Sequence, residues 1–180
     1  YQFDLWVVKW IPDTDSQTSH LRLTNVYRNS KADGSRLMRG KLESNELSQL
    51  QSVRNFTGER SAQYWLTPFL GALVAGEAKK QDQVLKLLER IDNQLSLAIV
   101  SQREASFAIL SGDEVSMRSI GSVIEELKEP SGTRFEHYWF QKLEYILWRE
   151  RNRFGKYDAV KLAAYRITSK NSIEHVHPQR

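Results

Sequence analysis

The stretch QDQVLKLLERIDNQLSLAIVSQ, residues 81–102, decides the fold class. Val84, Leu88, Ile91, Leu95 and Ala98 recur at steps of three or four, the spacing that lines one face of an α-helix. Leu87 and Ile99 widen the stripe toward a fully buried face. One helix is expected over 81–102, with 103–110 either continuing it or forming a short separate helix before the turn Ser111-Gly112-Asp113.

Toward the C-terminus the helical pattern repeats. Met117 to Lys128 reads as a helix ended by Pro130 and Gly132, and Thr133 is placed to cap the next one. In that next helix Phe135, Trp139, Leu143, Ile146 and Leu147 form one stripe, while Phe140 and Trp148 form a second. A helix apolar on two faces is expected at the centre of its domain, with Trp139 and Leu143 buried. Arg149, Arg151 and Arg153 crowd its end, where cations suit the helix dipole and also suit phosphate. After Gly155 the pattern changes, and Tyr165-Arg166-Ile167-Thr168 alternates like a strand.

Toward the N-terminus, Arg60 to Val74 is apolar and contains Pro68. Thr67 is read as the cap of a helix with Pro68 at its first position, closed by Gly76. Ser44 is read as the cap of an earlier helix carrying Leu47, Leu50 and Val53, without a capping box, and broken at Thr57-Gly58. Pro12 to Arg36 is poor in apolar residues and reads as a partly mobile loop with a short ordered piece around Leu21 to Tyr27. Phe3, Trp6, Val7 and Trp10 share a helical face with no cap before them, as in the last turns of a helix that begins upstream. The expected fold is all-α, a bundle or irregular helical array with a short β element at the C-terminal end. Its expected parts are a truncated helix and mobile loop over 1–36, a helical domain over 37–160, and the start of a further domain over 161–180.

Composition narrows the function classes. The chain is 40% hydrophobic and 27% charged, ordinary for a globular protein. It has no cysteine, which excludes a disulfide framework and a thiolate zinc site and fits a reducing, cytoplasmic setting. No apolar run approaches the roughly 18 residues of a membrane span, and no secretory signal opens the chain, so no membrane association is expected. The net charge of +4 is uneven: residues 149–180 hold eight Lys/Arg and three Asp/Glu. A basic end on a nearly neutral body suits contact with DNA backbone, and Arg149, Arg151, Arg153, Lys161 and Lys170 are the candidate phosphate ligands. A solvated surface is the plainer reading of the same charges.

Only residues 172–180 carry a chemical motif. Glu174-His175-Val176-His177-Pro178 sets an acid beside a histidine, with a proline three residues on. A carboxylate offers hard oxygen to a divalent cation such as Mg²⁺ or Mn²⁺. An imidazole, which titrates near neutrality, can take a proton from a water that attacks phosphorus, while the cation stabilises the leaving oxygen. Neighbours on an extended strand point to opposite sides, so both reach one site only where the chain bends, which Pro178 accommodates. His20 and His137 have no partner ligand at helical spacing and are read as ordinary surface or boundary histidines.

The run from Tyr165 to Gln179 resembles the boundary segment of GmrSD-type restriction endonucleases, large bacterial proteins of which many act in phage defence. The stretch His137 to Trp148 is similar to the helix that precedes the nuclease motif there. Leu50-Gln51-Ser52 followed by Tyr64-Trp65-Leu66-Thr67-Pro68-Phe69-Leu70 is similar to a middle-region segment. The matches follow the family's order and cover roughly a quarter of the residues, the terminal one being the most specific. The resemblance implies a segment joining an upstream NTP-using domain, related in fold to ParB and sulfiredoxin, to a C-terminal HNH-type domain of the ββα-metal class. It implies His175 as general base, Glu174 as metal ligand, and Pro178 and Gln179 as the turn that follows. It assigns His177 no role. The family's later Asn and His have no counterpart in this sequence, so the chain alone is expected to be inactive and to hold no cofactor. The expected partners are DNA, through the parent protein, and other domains of the same polypeptide. Homo-oligomerisation is compatible with all of this. The rival expectation is a helical interaction or dimerisation module without catalytic part, which the aromatic load of residues 137–148 suits equally.

Overall fold

The computed structural model describes residues 1–12, 19–31, 34–58, 62–130, 132, 135–153 and 158–168. A short helix α1 (Gln2–Trp6) leads into two β-hairpins: β1 (Lys9–Pro12) with β2 (Ser19–Arg22), then β3 (Thr24–Lys31) with β4 (Gly34–Lys41). Both pairs are antiparallel. Helices follow: α2 (Glu46–Thr57), α3 (Leu66–Ala75), α4 (Gln81–Leu97), α5 (Gln102–Ser111), α6 (Ile120–Lys128), α7 (His137–Arg149) and α8 (Ala159–Ala164).

The centre of the molecule is α2. Eight consecutive residues, Leu47 to Arg54, are buried, so this helix is enclosed on every side. It packs on α4 and α7 and touches β2. Leu47, Leu50 and Val53 join Phe69 and Leu73 of α3, Val84, Leu88, Ile91 and Leu95 of α4, Ala105 of α5 and Tyr145 of α7 in one core. The hairpin end contributes Val7, Val8, Leu21 and Leu23. Five of the eight buried α2 residues are polar, and each finds partners, because an unpartnered buried polar group costs about 1–3 kcal/mol. Ser52 Oγ donates to the Ser48 carbonyl at 2.9 Å, and Gln51 grips the backbone where α1 meets β1. Its amide nitrogen donates to the Trp6 carbonyl at 2.7 Å and its oxygen accepts from the Val8 N–H at 3.0 Å.

The fold is therefore mixed α/β, not all-α, and its strands lie in the N-terminal half. Residues expected to form a loop before Arg36 build most of both hairpins, and a boundary at 36/37 falls inside β4. The reason is patterning. Strands β3 and β4 lie out on the surface, so neither shows the apolar alternation that marks a half-buried strand. The legible cue was Gly34, which closes the ladder opposite Lys31 at φ +133°, a conformation that favours glycine. Tyr165 to Thr168 forms no strand; its partner is a side chain rather than another strand.

Helix limits moved for local reasons. The first amphipathic stretch is helical only to Trp6; Trp10 belongs to β1. The cap of α2 is Asn45, not Ser44, and a reciprocal capping box is present: Ser48 N–H donates to Asn45 Oδ1 and Asn45 N–H to Ser48 Oγ, both at 2.9 Å. Helix α3 begins at Leu66, which puts Pro68 inside the first turn, where a missing N–H breaks no helical bond. Helix α4 ends at Leu97 because Ser101 caps α5, with Glu104 closing the box. Gly76 and Gly112 take the left-handed conformation that ends α3 and α5. Helix α6 starts at Ile120, capped by Ser119. The proposed cap Thr133 lies outside the described residues.

The largest difference is the orientation of α7. Its core-facing residues are Gln141 and Tyr145, with Tyr138 and Lys142 half-buried beside them. Phe140 and Leu143 are 55% and 52% exposed, and Trp139 is half-buried against the edge of Tyr138. The cause lies in what α7 packs against. Asp92 of α4 has no solvent exposure and needs donors, which Tyr138 and Lys142 can supply and the apolar stripe cannot.

Candidate functional site

Two features bear on the sequence-predicted site. The first is a clamp on the segment that runs toward the Glu174-His175 motif. Gln49 Nε2 donates to the Tyr165 carbonyl at 3.0 Å, and Gln49 Oε1 accepts from the Ile167 N–H at 3.1 Å. One side-chain amide thus satisfies both polar groups of an extended backbone, as a neighbouring strand would. Gln141 of α7 adds a donor to the Thr168 carbonyl at 3.3 Å, and Ile167 is buried in the core. Gln49 and Gln51 lie two residues apart on α2, so they point to different sides and tie two distant segments to one helix.

Beside the clamp lies a pocket of about 180 Å³, whose lining includes Trp10, His20, Phe56, Gln49, Arg166 and Thr168. Trp10 and Phe56 meet edge to face with ring centres 5.9 Å apart. The pocket is smaller than the roughly 300–1,000 Å³ of typical small-molecule sites. Among the described residues no group of three His, Cys, Asp or Glu is arranged to hold a metal ion.

Glu144 and Tyr165 link α7 to the same segment. Burial pushes the Glu144 carboxyl above the usual carboxylate range, opposed by a hydrogen bond from Tyr165. Burial, then the charge of Glu144, pushes the Tyr165 hydroxyl well up. Since the folded state raises the Glu144 pKa, the fold prefers the neutral acid. Stability from this group is full below the unfolded carboxylate range and is lost as pH rises through the raised value. Glu144→Gln should therefore gain in melting temperature over wild type at pH 7, with the gain shrinking toward pH 4. Calorimetric scans of both proteins across that range check it; a difference independent of pH would contradict the assignment.

The second feature is the basic end, whose three arginines have internal partners. Arg149 pairs with Glu89 of α4 and lies 3.7 Å from Glu150. Arg151 stacks over Trp148 at 4.9 Å and donates to its carbonyl at 2.9 Å. Arg153 is largely exposed and pairs with Glu150 at 3.2 Å. Lys161 is exposed on α8, whose first turn is capped by Asp158. His20 is half-buried on β2 and lines the pocket, and His137 opens α7. Glu174, His175, His177, Pro178, Gln179 and Lys170 lie outside the described residues.

Sequence reasoning passed over Gln49 and Asp92. A polar residue on a helix normally marks its solvent face, so the run of polar residues from Ser48 to Arg54 pointed away from the enclosed helix that the structure shows. Comparison with family models, with curated proteins and with solved structures finds no match to this chain. No helix among the described residues is long and apolar enough to cross a membrane.

Proposed function

We propose that this chain is the mainly helical platform on which an HNH-type nuclease domain begins, within a cytoplasmic GmrSD-type restriction endonuclease that hydrolyses DNA phosphodiesters with Mg²⁺ or Mn²⁺. The supporting observation is the Gln49 clamp. The segment before the motif is held at the Tyr165 carbonyl and the Ile167 N–H by a helix whose surroundings are the protein core, the kind of anchored exit that a following domain would need. A platform of this kind suits a protein that must keep an NTP-using domain and a cutting domain in register. In this reading His175 is the general base, Glu174 a metal ligand, and Arg153 and Lys161 the basic-end residues best exposed for phosphate.

The experiment is plasmid cleavage by the full-length protein that carries this chain and completes the ββα unit. Cleavage should require Mg²⁺ or Mn²⁺ and stop with EDTA. Glu174→Ala should chiefly raise the metal concentration needed, because it removes a ligand and leaves the base in place. Cleavage without metal, or an unchanged metal titration in Glu174→Ala, would overturn the reading.

One observation favours a second reading, an interaction module. Helix α6 turns Ile120, Ile124 and Leu127 outward, and α7 turns out Phe140, Leu143 and Leu147. Exposed apolar stripes on two helices are a common mark of a protein contact.

A further inference from the structure

We infer that the β3–β4 hairpin is a DNA-reading ribbon that seats in the major groove of a B-form duplex. Residues 24–41 contain five Lys/Arg and one Asp, a surplus of +4 that equals the net charge of the whole chain. They form an eight-pair antiparallel ladder from Thr24↔Lys41 to Lys31↔Gly34. At about 3.4 Å per residue the ribbon reaches roughly 27 Å. The major groove of B-DNA, about 12 Å wide, admits a two-stranded ribbon. The deep, narrow major groove of an RNA duplex does not.

The two faces of the ribbon differ. Residues directly opposite share a face, so Thr24, Val26, Arg39 and Lys41 lie together. This face is anchored at its base: Thr24 is buried, Arg39 pairs with Asp4 of α1 at 2.6 Å, and Lys41 Nζ donates to the Pro12 carbonyl at 2.9 Å. The other face carries Asn25, Tyr27, Asn29, Arg36 and Met38. Tyr27, Met38 and Arg36 are exposed there. A Cβ at Gly40 would strike Asn25 Oδ1 and approach Tyr27 to 3.3 Å, so glycine lets both side chains lie across the strand. This set matches the chemistry of base edges. Asn pairs with adenine, Arg with guanine, and apolar groups touch the thymine methyl. Arg28, exposed on the anchored face beyond Arg39, is placed for phosphate.

A plainer role for the cations is to stop two exposed edge strands from pairing with other chains. The two roles separate experimentally. The inference names the same partner as the proposed function but rests on the ribbon alone.

The test is fluorescence anisotropy of this chain with duplex DNA across a salt series, for wild type, Arg28→Gln/Arg36→Gln, and Arg151→Gln/Arg153→Gln. The ribbon pair should lose at least roughly tenfold in affinity and about one unit of salt slope, since Arg28 is the one of the two assigned to phosphate, with melting temperature and oligomeric state unchanged. Loss confined to the Arg151/Arg153 pair would move the contact to the basic end and overturn the ribbon. Equal affinity for single strands or for an RNA duplex would overturn the groove geometry. Aggregation of the ribbon pair with DNA affinity retained would leave edge protection as its role. Failure of the metal-dependent cleavage described above, with ribbon-dependent duplex binding intact, would sink the nuclease reading and leave this inference standing.

Discussion

His175→Ala in the full-length protein should, on the proposed nuclease reading, lower DNA cleavage by about 10²–10⁴-fold, the usual contribution of a positioned proton acceptor. The loss should fall on the chemical step, with duplex affinity and nucleotide hydrolysis little changed, since neither uses this imidazole. His177→Ala is the matched control. It sits two residues away in the same motif, has no assigned role, and should cleave at close to the wild-type rate. A domain that merely unfolds would lose metal response and cleavage together, so the metal titration separates damage from chemistry. Wild-type cleavage in both histidine variants would end the nuclease account and favour the exposed faces of α6 and α7 as the working surface.

Asp92→Ala should destabilise the fold by about 3–5 kcal/mol, as expected when one partner of a buried ion pair is removed. Asp92 is fully buried and joins three elements. It takes the Arg54 guanidinium from α2, the Lys142 ammonium from α7 and the Tyr138 hydroxyl at 3.1 Å. Arg54 also lies 4.6 Å from the centre of the Tyr138 ring. Removing the one carboxylate leaves a buried guanidinium and a half-buried ammonium without their shared partner. The melting temperature should fall by on the order of 10 °C in a chain of this size. Lys142→Met added to Asp92→Ala should recover part of the loss, because it removes one stranded charge and keeps the packing of the stem. A loss under about 1 kcal/mol would mean that water reaches the cluster, and that the inward rotation of α7 has another cause.

The same cluster explains where sequence reading stopped. The helices at 46–57, 66–75, 81–97 and 120–128 were legible because each carries its own apolar spacing, caps or glycine stop, all local properties of the chain. Helix α7 was legible as a helix, but its rotation was not. The apolar stripe through Leu143 promised a buried face, yet Asp92, 50 positions from Lys142 in the sequence, needed donors at that contact. A long-range partner of this kind leaves no trace in the periodicity of either helix. The β3–β4 hairpin was lost for the opposite reason: its strands gain stability from each other and from one anchored end, so they carry no apolar alternation to read, while the first hairpin offers only two four-residue strands.

By itself the sequence determined that most of the chain is helical and that no disulfide or thiolate metal site can form in it. Tertiary structure alone decided that α2 is enclosed, that Gln49 and Gln51 act as backbone clamps, that α7 turns its tyrosines inward, and that a basic ribbon stands on the surface. Those outcomes depend on hydrogen-bond demands between residues far apart in the chain, which must be met wherever water is excluded.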